Sequence, residues 1–243
     1  MFSVKPLTAA LALTGAAIVL VAPDAAQAGT VVASSGPSAS KYPVGKKLAD
    51  TDRITLRAGD SVTVLDSKGT RVISGAGTHV VGARGTSRAS TFASLTRRNS
   101  GSRARTGAVR SGKPASSAPK PNLWNVDVSR GGTMCVPGTE AMQLYRPGGE
   151  GKATYRIEQS DTPSHIHVTF EDGTNVADLD TGQMPITPGA NYIISGPNGG
   201  SPVTVSFTTL DEVSRDPEEL ASDLIANGCT GQLELLSNTM MTS

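Results

Sequence analysis

The chain has 243 residues, of which 37% are hydrophobic, 4% aromatic and 18% charged, with 27 Gly and 15 Pro, a globular composition at its polar, turn-rich edge. Two Cys exclude a disulfide-dense miniprotein and a four-cysteine zinc centre, and one Trp with four Tyr and four Phe leaves few platforms for stacking bases or sugars. The formal net charge of +1 excludes a uniformly basic nucleic-acid binder, but it conceals a division: residues 29–121 hold 16 Lys and Arg against four acids, or +12, and residues 122–243 hold five against 16, or −11.

Residues 1–28 read as a secretory signal peptide. Lys5 gives the positive start, the run from Leu7 to Ala22 is largely apolar, Pro23 breaks it, and Ala26-Gln27-Ala28 places small residues where a signal peptidase reads. The mature chain is then expected to start near Gly29, to be periplasmic or secreted, and to contain no transmembrane segment, since no later stretch approaches about 18 apolar residues.

Residues 29–81 predict a small β unit of hairpins. Ile54-Thr55-Leu56-Arg57 and Ser61 to Asp66 alternate around a turn at Ala58-Gly59-Asp60. Ser67 to Thr70 then turns into Arg71 to Ser74, and Gly75-Ala76-Gly77 leads to a strand at Thr78 to Val81. About 50 residues is marginal for independent folding, so the unit is expected to dock on something. Residues 82–121 read as a basic linker rich in Ser, Gly, Pro and Arg, with Phe92, Leu95 and Val109 as its larger apolar residues and no acid, too little to bury a core. A three-to-four spacing of Ala89, Phe92 and Leu95 allows one short helix within 87–98.

Residues 122–243 predict a β-sandwich-like domain with a terminal α-helix. Strands are expected near 123–129, 140–145, 153–159, 165–170, 190–195 and 202–209, divided by turns such as Pro147-Gly148-Gly149 and Glu171-Asp172-Gly173. Asp216, Pro217, Glu218 and Glu219 open a helix with the stripe Leu220, Leu224, Ile225, and Gly228 stops it; a second short helix or strand follows at 232–236. The fold class is therefore mainly β. Cys135 and Cys229, the two cysteines of a chain bound for an oxidising space, are expected to pair and pin the helix to the sheet.

Catalytic signatures are sparse. His165-Ile166-His167 on a strand would turn two imidazoles to one side, with Glu171 or Asp172 as further donors, but a usable zinc site wants three or four converging ligands, and His79 lies in the other β unit. Gly107 to Lys113 copies seven positions of a phosphate-cradling loop; Pro114 then stands where a hydroxyl is needed and blocks the helix. The acid pairs Asp178 with Asp180 and Asp211 with Glu212 fall at turns and strand ends. No catalytic residue, metal site or cofactor is therefore expected. Arg84, Arg88, Arg97, Arg98, Arg103, Arg105 and Arg110, with Lys113 and Lys120, form an acid-free basic tract suited to salt-sensitive binding of polyanions. For an exported chain those are anionic envelope polymers or lipids rather than nucleic acid, or else the chain's own acidic domain, unless the tract is a plain solvated spacer.

Tyr42-Pro43-Val44-Gly45 followed by Leu56 to Val80, with its Gly-Asp and Lys-Gly turns, resembles the small periplasmic β domain of FecR-like proteins. The resemblance covers about 50 residues and implies an envelope sensor or regulator without catalysis. This chain differs from that family in carrying a cleavable leader and no anchor. The ending of the second domain resembles those of uncharacterised exported bacterial proteins and implies no activity. The expected function is a non-enzymatic, exported binding or regulatory module of the bacterial cell envelope, with an envelope protein or anionic polymer or lipid as partner. The alternatives are an envelope hydrolase or metal-dependent enzyme centred on His165 and His167, and a structural adhesion protein that uses the basic linker.

Overall fold

The structure, a computed structural model, describes residues 27–82, 89–97 and 121–241. The expected leader lies outside these residues except for Gln27 and Ala28, which begin strand β1 (Gln27–Ser35). Strands β2 (Lys47–Ala49), β3 (Arg53–Leu56), β4 (Ser61–Asp66), β5 (Gly69–Ser74) and β6 (Gly77–Val80) follow. They make an antiparallel sheet in the order β2-β1-β4-β5 and a two-stranded ribbon, β3 with β6. The alternating Val62 and Val64 of β4 turn inward onto Val31, Ile54, Leu56 and Ile73, a small core between sheet and ribbon. A register shift between Val31 and Ala33 marks a bulge in β1, and Val32 faces the opposite way, toward the helices described below.

The expected turn at residues 58–60 is a corner rather than a hairpin, because β3 pairs with β6 and β4 with β1 and β5. Buried Asp60 fixes it by accepting the backbone N–H groups of Ser38 and Arg57. Hydrogen bonding from Ser38 first, then from the Arg57 amide, holds the Asp60 carboxyl below the usual carboxylate range. Gly36 is required beside it: its φ is +93°, and a Cβ there would stand 2.5 Å from Asp60 Oδ1. The β4–β5 turn is a true hairpin, capped by Asp66, whose carboxylate accepts from the amides of Lys68 and Gly69 and from Arg71 Nη1.

The second β unit is the expected sandwich. Strands β7 (Asn125–Asp127), β8 (Gly132–Val136), β9 (Met142–Tyr145), β10 (Ala153–Gln159), β11 (His165–Phe170), β12 (Val176–Leu179), β13 (Asn191–Ser195) and β14 (Val203–Thr209) form sheets β11-β10-β13-β14-β8 and β12-β9-β7. Leu144, Ile157, Phe170, Tyr192, Ile194 and Phe207 meet between them. Arg146 is only 4% exposed and ties two turns together by donating to the carbonyls of Gly149, Glu150, Gly151, Glu171 and Thr174 while its guanidinium lies over Phe170.

Three helices, α1 (Ala89–Thr96), α2 (Pro217–Ala226) and α3 (Thr230–Thr239), make a layer that touches both β units. Asp216 caps α2 by accepting from the amides of Glu218 at 2.8 Å and Glu219 at 3.1 Å. Leu220, Leu224, Leu233 and Leu236 pack against Val32 and Leu65 of the first unit and against Leu123, Cys135 and Leu210 of the second. Phe92 and Leu95 of α1 join the same cluster. The short helix expected within 87–98 is thus present and packed, and a stretch with too little to bury a core of its own buries both of these side chains in a shared one.

The expected disulfide Cys135–Cys229 is present in this layer, with both cysteines fully buried and their Cα atoms 5.8 Å apart, and it joins β8 to the turn between α2 and α3. Gln232 doubles the tie. Its Oε1 accepts from the Cys135 amide at 2.7 Å, and its Nε2 donates to the carbonyls of Cys135 and Leu123. At the far end of α3 the Thr70 amide donates to the Met240 carbonyl at 2.8 Å, and Thr70 bridges Met241 in parallel. The expected second terminal element is therefore a helix that fastens both β units.

Candidate polyanion-binding surface

Of the seven arginines singled out in the sequence, Arg97 is within the described residues, exposed just past α1. Arg84, Arg88, Arg98, Arg103, Arg105 and Arg110 lie outside them, as does the phosphate-loop look-alike at 107–113. What the structure does fix is the base of the tract. The Leu123 amide donates to the Leu95 carbonyl at 3.1 Å, Trp124 Nε1 to the Thr96 carbonyl at 2.8 Å, and Asn122 Nδ2 to the Arg97 carbonyl. Each of the last three residues before the basic stretch 98–120 is bonded to one of the residues just after it. The described residues on either side of 98–120 therefore lie side by side.

That place borders a cleft of about 950 Å³ with Phe92, Trp124 and Leu210 among its apolar walls. Its lining also carries charge of both signs, from Arg97 and Arg215 and from Asp211, Glu212 and Asp216. The loop 211–216 also borders a second hollow of about 770 Å³ shared with Lys47, Glu219 and Asp223. Ser214 Oγ shapes the loop by donating to Glu219 Oε2 at 2.6 Å and accepting from the Asp216 amide. Beneath it, Glu218 Oε1 accepts from the buried Thr30 hydroxyl at 3.1 Å, a direct bond between α2 and β1. Burial is the main reason that the Glu218 carboxyl is pushed above its usual range, opposed by the Thr30 bond and Lys47 and reinforced by Asp216 and Asp66.

His165 and His167 lie where their spacing predicts, side by side on the exposed face of β11 with ring centroids 5.4 Å apart. The carboxylates suggested as their companions are engaged elsewhere: Glu171 with Lys152 at 2.9 Å, Asp172 with the Gly151 amide at 2.7 Å. His79 is in the other β unit, its Nε2 3.0 Å from the Gly75 carbonyl. Among the described residues no group of three or more His, Cys, Asp or Glu can hold a metal ion. Asp178 accepts from Gln143 Nε2, and Asp180 accepts from Gln183 and the Gly182 amide; the Gln183 side chain is the main reason its carboxyl sits below the usual range. These are turn and surface carboxylates.

Sequence reasoning missed the clasp formed by Asn122, Leu123 and Trp124. The available signal was the placement of the chain's single Trp and an Asn directly after the last proline of a stretch otherwise poor in apolar residues. Among the described residues no helix is long and apolar enough to cross a membrane. Compared with known proteins, the chain matches no family model and no curated protein.

Proposed function

We propose that this is a non-enzymatic, exported binding or regulatory module of the cell envelope that engages anionic polymers or lipids through the basic tract of residues 84–120. The observation that carries this reading is the clasp. A linker between two independent domains would leave its two ends apart. Here residues 95–97 and 122–124 are bonded together on a helical layer closed by a disulfide, so both flanks of the acid-free stretch share one fixed base. Export is supported by the leader pattern of residues 1–28 and agrees with the disulfide.

The clasp also makes the test clean. Replacing residues 98–120 by a short Gly-Ser turn removes Arg98, Arg103, Arg105, Arg110, Lys113 and Lys120 without stretching the ends. The variant is expected to keep its thermal transition and to lose low-salt binding to phosphatidylglycerol vesicles and to acidic polysaccharide. A wild-type chain that binds neither at low salt, or a variant that binds as wild type does, overturns the reading.

A second reading has its own observation. Arg97 lines the same cleft as Asp211, Glu212 and Asp216, so the acids of loop 211–216 are available as an internal counter-charge for the basic tract. In that case Asp211→Asn with Glu212→Gln tightens binding to outside polyanions by removing an internal competitor.

A further inference from the structure

The exposed face of the five-stranded sheet carries a pair of histidines that the proposed function does not use. β11 is the outermost strand of its sheet, so one side of the pair is open. Successive side chains alternate across a strand, so His165 and His167 share the solvent face while Val168 and Phe170 are buried on the other. On β10, Glu158 stands opposite His165 and Arg156 opposite His167, and these two are ion-paired with each other. Neither imidazole is committed to a carboxylate. His165 Nδ1 lies 3.3 Å from the Pro163 carbonyl oxygen, which can only accept, so the tautomer that makes this hydrogen bond carries its proton on Nδ1 and has Nε2 as the ligating nitrogen. A backbone carbonyl that fixes the tautomer in this way is the usual outer support of a metal-binding imidazole.

We propose that His165 and His167 form a two-imidazole site for a borderline divalent transition-metal ion, with the remaining positions taken by water or by a ligand from outside the chain. Two imidazoles bound to one tetrahedral ion at about 2.0 Å place their ring centres about 5 Å apart. The observed separation is 5.4 Å, and both side chains are exposed, so turning the rings onto one ion requires no repacking of the core. For a given set of imidazole donors, affinity among the divalent ions peaks at Cu²⁺, above Ni²⁺ and Zn²⁺.

The test is titration of the full mature chain with Cu²⁺ and Zn²⁺, read by calorimetry and, for Cu²⁺, by the nitrogen hyperfine splitting in its electron paramagnetic resonance spectrum. One equivalent is expected, with two imidazole nitrogens on Cu²⁺ and tighter binding of Cu²⁺ than of Zn²⁺. His165→Ala and His167→Ala should each weaken it by about ten-fold or more. His79→Ala removes the chain's third histidine and should change nothing. Unchanged thermal transitions in all three variants exclude misfolding as the cause. Absence of a saturable equivalent, or equal affinity in the His165→Ala, His167→Ala double variant, overturns the proposal.

Discussion

Single residues show how charge is handled where the elements meet. Asp60 and Asp180 have depressed carboxyl pKa values, so each contributes stability that is present above the ordinary aspartate range and lost as pH falls through the lowered folded value. Glu218 is the opposite case. Its folded pKa is raised, so its contribution is full below the ordinary glutamate range and is lost as pH rises through the folded value toward neutrality. Glu218→Gln keeps a carbonyl oxygen to accept from Thr30 and cannot ionise. The variant is therefore expected to melt higher than wild type at pH 7 and to converge with it below pH 4.5. A lower transition at pH 7 would show that the charge itself holds α2 to β1.

At the scale of elements, the sequence made legible those strands that alternate and are bounded by turn residues. β4, β10, β11, β13 and β14 fall within a residue or two of their expected places, because Val, Ile, Thr, Tyr and Phe repeat at a period of two. β1 was hidden because its first residues overlap the expected leader and its bulge breaks the alternation at Val31 and Val32. β8 and β12 were hidden for other reasons. In Gly132-Thr133-Met134-Cys135-Val136 the last three residues are buried on both faces, Met134 and Val136 in the sandwich core and Cys135 under the helices, and Val176-Ala177-Asp178-Leu179 is short and only partly buried. Pairing was not legible either, since β3 reaches past β4 and β5 to β6, and β8 runs parallel to β14.

Helix α1 was legible from three apolar residues, and its docking was not, because the surface that receives it comes from residues more than 25 positions later. The single Trp reports on that docking. Phe92→Ala removes a buried ring and should cost about 3 kcal/mol of what holds the helix down. The expected result is a red shift of Trp124 fluorescence without global unfolding. Unshifted emission would mean that Trp124 is shielded independently of α1.

For the whole molecule, the two β units are not separate bodies joined by a spacer. They share the helical layer, from Val32 and Leu65 on one side to Leu123 and Cys135 on the other, and Met240 and Met241 reach back to Thr70. This answers the expectation that a unit of about 50 residues must dock on something. Residues 29–82 expressed alone should therefore give an undispersed amide spectrum, and the intact chain should unfold in one transition. Reducing Cys135–Cys229, which closes a separation of 94 positions, should move that single transition by about 4 kcal/mol. A folded fragment, or two resolved transitions in the intact chain, would show the units to be independent.

The near-neutral balance of the molecule is the sum of a basic first half and an acidic second half, and the acid-free basic stretch is flanked by residues bonded to each other beside a cleft lined by charges of both signs. The most direct test of polyanion binding through that stretch is the slope of log affinity against log salt concentration for phosphatidylglycerol vesicles. The slope should be compared between wild type and a chain with Arg98, Arg103, Arg105 and Arg110 changed to Ser. Wild type is expected to show a steep negative slope, and the variant a markedly shallower one with weaker binding. Equal slopes, or wild-type binding indifferent to salt, would contradict polyanion binding through that stretch.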